Sequence, residues 1–257
     1  MGIRSGSPWE HVFQAAAALA AGMGVGRFAY TPILPLMHAQ AGLSAPAGAS
    51  LATANYIGYL AGAVAAIFLP ALVRSRAVMR GSLILLTGTL AAMPLTHAVA
   101  GWWALRLLAG TASALVFVSA VSSLIGSLRG HPAHLPGWGF GGVGAGIALS
   151  GALVLGLRSL GSLGDWRSAW WACAALAAAL TAASWTLPLD SAPVPAPGSG
   201  ADHPRTHRWF GALFACYTLE GVGYIIAATR KVPARMEPTP SSVSQANSAP
   251  NQRWVRG

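Results

Sequence analysis

Three ionisable side chains lie deep inside long apolar runs: Arg27, Arg106 and Glu220. Each costs about 2.5–3.5 kcal/mol at the centre of a membrane helix on insertion scales, and such residues face a bundle interior or a wet cavity. An arginine there can hold a carboxylate or phosphate through its planar fork. Arg27 and Arg106 are therefore expected to line a central cavity and bind an anionic or polar group of a substrate. Glu220 suits proton coupling, or charge pairing with one arginine. The structural alternative is a fixed ion pair between helices. Arg106 sits near the start of its run and can also snorkel. Asn55 and Tyr59, four apart, share a helix face. They can hydrogen-bond a substrate or a neighbouring helix.

Other chemistries find no support. The seven histidines (11, 38, 97, 131, 134, 203 and 207) fall at run ends or in loops, with no pair at metal-ligand spacing inside a run. Cys173 and Cys216 sit in apolar runs and form no Cys-x-x-Cys, so no metal site or disulfide framework is expected. Gly24-x-Gly26 follows no strand, and no Walker-type Gly-Lys-Ser/Thr exists, so no nucleotide or other cofactor is expected. The runs hold one carboxylate, no central histidine and no serine beside a base, so the chain is not expected to be an enzyme.

These residues need elements to hold them, and the composition says which. Of 257 residues 54% are hydrophobic and 9% charged, with mean hydropathy +0.54. A soluble domain carries about 25% charged residues, and disorder needs low hydrophobicity. Long apolar blocks with few charges mean a polytopic membrane protein, with the lipid bilayer as its first partner. The net charge of +10 is spread thinly between the blocks. It forms no basic stripe with interleaved aromatics, so no nucleic acid is expected.

Charges and turn residues divide the chain into seven expected spans: 12–36, 52–73, 78–97, 101–126, 137–158, 167–188 and 208–229. Residues 1–188 would form a six-helix half. Residues 38–46 read as a loop, and 189–207 as a flexible Pro/Gly/Ser linker. The first run continues past Arg27 to Leu36, so it reads as a membrane helix and not a cleaved signal. Arg74, Arg76, Arg80, Arg129, Arg205 and Arg208 lie in alternate connections. By the positive-inside rule this puts the N-terminus and the linker in the cytoplasm. Trp9, Trp102, Trp103, Trp138, Trp166, Trp170, Trp185 and Trp209 fall near span ends, where aromatic belts belong.

Gly-Val-Gly occurs at 24–26 and again at 221–223, just past six spans and a linker. That is where the second copy of a six-helix unit would begin. After Thr229 the 28 remaining residues are polar, Pro-rich and carry five positive charges. They read as a disordered, divergent tail and, with the single seventh span, as a truncated or frameshifted product.

Gly22-Met23-Gly24-Val25-Gly26-Arg27-Phe28-Ala29-Tyr30-Thr31-Pro32 resembles the first helix of the YbfB/YjiJ-type branch of the major facilitator superfamily. Asn55 to Gly62 resembles its second helix, and Tyr217 to Ile226 its seventh. Arg106 with Gly110 resembles the superfamily's fourth-helix pattern, and Gly137 to Gly151 its glycine-rich fifth helix. The loop after the second helix keeps Arg74, Arg76 and Arg80 but lacks the usual acid. The resemblance implies an all-α polytopic bundle: the N-terminal six-helix half plus one helix of the second half. It implies secondary transport of a small-molecule solute, proton-coupled, across a bacterial inner membrane. The alternative is a non-transporting truncated protein that acts by assembly with itself or a partner. The small residues of the fifth span form two faces, Gly137 with Gly141 and Gly142 with Gly146 and Ser150; Gly58 and Gly62 form a shorter one. Small residues at this spacing let backbones approach, which suits contact within the half, contact of the fifth helix with the second half as the resemblance implies, or homo-oligomerisation. An alkaline phosphatase reporter fused in the 38–51 connection should be active and one fused at 74–80 inactive; the reverse pattern would invert the orientation.

Overall fold

In a computed structural model the described residues are 7–128, 131–132, 134–159 and 164–189, with Gly211, Ala215, Cys216 and Leu219 as isolated helical positions. The rest of the expected linker, seventh span and tail lies outside the described residues. Among the described residues the structure is helical throughout, without strands. Its elements are α1 (Pro8–Leu19), a π-helical turn (Ala20–Val25), α2 (Tyr30–Gln40), α3 (Ala45–Phe68), α4 (Pro70–Arg74), α5 (Arg76–Ala92), a 3-10 turn (Met93–Leu95), α6 (Val99–Ser127), α7 (Leu135–Ser159) and α8 (Trp166–Ala183). Five stretches are long and apolar enough to cross a membrane: Pro8–Gln40, Ala45–Phe68, Arg76–Leu95, Val99–Ser127 and Leu135–Ser159. They fall at the first five expected spans; α8 falls at the sixth but is not among the stretches of membrane length and hydropathy.

Two boundaries move. The expected loop at 38–46 shrinks to residues 41–44 between α2 and α3. His38 and Gln40 stay helical because their side chains find partners outside α2. The His38 ring bonds the Leu43 carbonyl, and Gln40 Oε1 accepts from Trp166 N at 2.8 Å. Gly42 takes the left-handed conformation (φ 67°) that ends α2. Ser44 then caps α3, accepting from Ala47 N at 3.3 Å, and Pro46 fits its first turn, where no N–H is needed. The expected span 52–73 divides at Leu69, where Pro70 opens the five-residue α4.

The first span is the core of the bundle. Its apolar window is 72% buried, against 33% for α3 and 22% for α7. Its run of alanines lets α7 come close. A Cβ built on Gly142 would strike the Ala16 carbonyl, and one on Gly146 would lie 2.6 Å from the Ala20 oxygen. On the other side α3 lies against α6. There Gly58 faces the Leu107 carbonyl, Gly62 would put a Cβ 2.6 Å from the Thr111 oxygen, and Gly110 faces the Asn55 carbonyl. Thr111 Oγ1 donates to the Gly58 oxygen at 3.1 Å, fastening the pair. The Gly58/Gly62 and Gly142/Gly146 faces are therefore both occupied within this chain. Gly137 and Gly141 have nothing within 4 Å among the described residues.

The aromatic belt holds only in part. Trp9, Trp103, Trp138 and Trp185 are exposed, but Trp102, Trp166 and Trp170 are buried. Trp102 and Trp166 meet edge to face with centroids 5.8 Å apart. The Trp102 indole turns inward because its N–H finds an acceptor there, the Met93 carbonyl at 2.9 Å.

Gly58→Ala and Gly110→Ala should each lower stability by about 1–3 kcal/mol, the range for overpacking. Gly137→Ala should leave it unchanged. Melting in detergent checks this, and an equal loss at Gly137 would contradict the assignment of the packed faces.

Candidate functional site

The site begins with a missing hydrogen. Pro32 has no N–H and its ring crowds the carbonyl four residues back, that of Phe28. The Phe28 oxygen accepts instead from Thr31 N at 3.1 Å, three residues on. Thr31 N is thereby drawn away from the Arg27 carbonyl, which loses its helical donor. Upstream, Gly26 N bonds Ala21 O at 2.9 Å, five residues back, which is the π-helical pattern. Between the π turn and α2 the first span is thus broken, with carbonyls facing the protein interior. An unpaired buried carbonyl costs about 1–3 kcal/mol.

Arg106 answers that break. Its Nη1 donates to Gly26 O at 3.3 Å and its Nη2 to Arg27 O at 3.2 Å. The guanidinium lies over the Tyr30 ring at 4.9 Å, and the residue is 2% exposed. Tyr30 is itself fixed, donating to Gly48 O at 2.8 Å and stacking on Trp170 with centroids 6.4 Å apart. The Arg106 main chain is held too, since Asn55 Nδ2 donates to its carbonyl at 3.0 Å. Asn55 is 2% exposed.

Arg27 sits at the same break but points elsewhere. Its guanidinium carbon lies over the rings of Tyr59 at 4.3 Å, Tyr56 at 4.8 Å and Phe28 at 5.8 Å. Tyr56 and Tyr59, three apart on α3, form one face. Each cation–ring contact is worth about 0.5–1 kcal/mol when exposed and about 2 or more when desolvated. These rings hold the cation but supply no acceptor. Arg27 Nε is buried without a hydrogen-bond partner among the described residues. The side chain is half-buried, and Tyr56 is 46% exposed.

The structure thus brings Arg27 and Tyr59 into direct contact. It places Arg106 and Asn55 immediately behind them, tied to main chain and closed to solvent. Arg106 does not take the snorkelling alternative, because carbonyls inside the bundle accept from both of its Nη atoms. Glu220 lies outside the described residues. Tyr56, Phe28 and Tyr30 belong to the cluster and carried only a weak signal: tyrosines at i, i+3 on α3, and aromatics flanking Arg27. Among the described residues no group of His, Cys, Asp or Glu could hold a metal.

A guanidinium held by aromatic faces, beside a broken central helix in a bundle of membrane-length rods, is suited to receiving an anion. A family described as uncharacterised MFS-type transporter YbfB matches residues 19–236, which include every residue of this cluster. The chain belongs to that family. It is accordingly a multi-pass membrane protein of the transporter class. No curated protein and no solved structure shows significant similarity to it.

Arg106→Met should strand the Gly26 and Arg27 carbonyls and destabilise by about 1–3 kcal/mol for each. Arg106→Lys should recover only part, since an ammonium lacks the planar fork. An unchanged melting temperature for Arg106→Met would remove the clamp from this account.

Proposed function

We propose that the protein moves a small anionic or polar solute across the bacterial inner membrane by alternating access, with Arg27 as the residue that receives it. The N-terminus lies in the cytoplasm, on the strength of the arginines in the 74–80 connection. The observation that carries the reading is the Arg27 guanidinium: half-buried, caged by rings, and without a side-chain hydrogen bond to a described residue, whereas both Nη atoms of Arg106 are bonded. A cation so placed gains from an incoming acceptor what no neighbour supplies. Transport is proton-coupled, with Glu220 as the carboxylate that carries the proton. Tyr59 and Tyr56 shape the site, whereas Arg106 and Asn55 position it.

Proteoliposomes holding the full chain, exposed to a mixture of sugars, amino acids and organic acids, test this. At least one solute should accumulate inside, and Arg27→Ala should reduce it to the level of empty vesicles. An uncoupler or Glu220→Gln should abolish accumulation against a gradient. Accumulation that Arg27→Ala leaves untouched would refute the role of Arg27.

A further inference from the structure

Charge arithmetic narrows the solute further, resting on the reading of Arg27 as the receiving residue. The sequence offers two arginines at this level, Arg27 and Arg106. Only one is available. Both Nη atoms of Arg106 are bonded to main-chain carbonyls, and the residue is 2% exposed. Its charge offsets the partial charges of the Gly26 and Arg27 oxygens and is walled off from solute by the Tyr30 ring on one side. Arg27 makes no side-chain hydrogen bond to a described residue and is half-buried beside Tyr56, which is 46% exposed. A solute with one negative charge is neutralised there. A second adjacent negative charge would meet no second available arginine among the described residues, because both Nη atoms of Arg106 are already bonded.

The walls say what the rest of the solute is like. Beside Arg27 stand Tyr56, Tyr59 and Phe28, all aromatic. The Tyr56 ring keeps free surface while lying over the cation. An apolar body attached to the anionic group would lie against that ring while the anion meets the guanidinium edge. We infer that the solute received at Arg27 is a small monocarboxylate with an apolar, ring-stacking body. The carboxylate fits because its two oxygens match a guanidinium fork bidentately.

Binding of three probes to the full chain in lipid nanodiscs tests this: benzoate, its neutral isostere benzamide, and phthalate, whose two carboxylates are adjacent. Benzoate should bind saturably. Benzamide should bind about tenfold to a hundredfold more weakly, the range for losing a charged hydrogen-bonding partner, and phthalate more weakly than benzoate. Arg27→Gln should abolish the preference for benzoate over benzamide, and Tyr56→Leu should weaken benzoate but not acetate. Arg27→Lys, with the melting temperature of each variant measured without ligand, separates lost binding from lost fold. Phthalate binding more tightly than benzoate would show two available charges and overturn the inference. So would equal binding of benzoate and benzamide, or no binding of benzoate. If those results came with Arg27-dependent uptake of some other solute, the receiving role of Arg27 would stand and only the solute class would fall. Benzoate preference that survives Arg27→Gln would overturn both.

Discussion

The absence of one hydrogen, on the nitrogen of Pro32, shapes the centre of this bundle. A helix interrupted by proline must find donors for the carbonyls it frees, and at membrane depth no bulk water supplies them. Here the donors come from one guanidinium. Arg106 reaches from α6 to the oxygens of Gly26 and Arg27. That contact joins α6 to the first span, fixes the direction in which the chain leaves the break, and so fixes where Arg27 points. Two hydrogen bonds to a charged group are worth about 1.5–3 kcal/mol each, enough to hold the broken geometry against a straighter helix.

The same residue type thus stands in two different settings beside one helix break. Arg106 is enclosed and bonded to main chain; Arg27 is half-open and held by rings. The difference lies in the partners. Carbonyls accept hydrogen bonds and leave the fork occupied. Aromatic faces attract the cation without accepting at its edge, and so leave the fork to be used. Among the described residues no carboxylate pairs with Arg27. The two carboxylates among the described residues do other work: Glu10 accepts from Gln14 at 3.4 Å and Asp165 caps α8.

Helix packing around this centre relies on close approach rather than large side chains. In lipid, apolar side chains gain little by meeting one another, so van der Waals contact and interhelical hydrogen bonds must join helices. Gly58, Gly62 and Gly110 bring α3 against α6 until backbone touches backbone, and Thr111 and Asn55 add hydrogen bonds across the seam. Gly142 and Gly146 do the same for α7 and the first span. The precision of the Arg27 cage depends on the first of these seams, because Tyr56 and Tyr59 ride on α3.

Much of this was legible in the sequence. Long apolar runs separated by charges and turn residues locate the five membrane-length rods and α8 after them, because hydropathy and backbone satisfaction act locally along the chain. The spacing of Gly58 with Gly62 and of Gly142 with Gly146 marks close-packing faces, and the isolation of Arg27 and Arg106 marks a polar centre. The sequence could not say which arginine is available. That depends on where the carbonyls of the Gly26–Pro32 break lie relative to α6, some 80 residues away in the chain. Nor could it show that Asn55 turns to the Arg106 carbonyl while Tyr56 turns to Arg27, or that three of the tryptophans near span ends face inward. Each of these is settled by which donor meets which acceptor after the helices pack. Residue type and spacing determine what a side chain can do, and only the tertiary contact decides which of its partners it has.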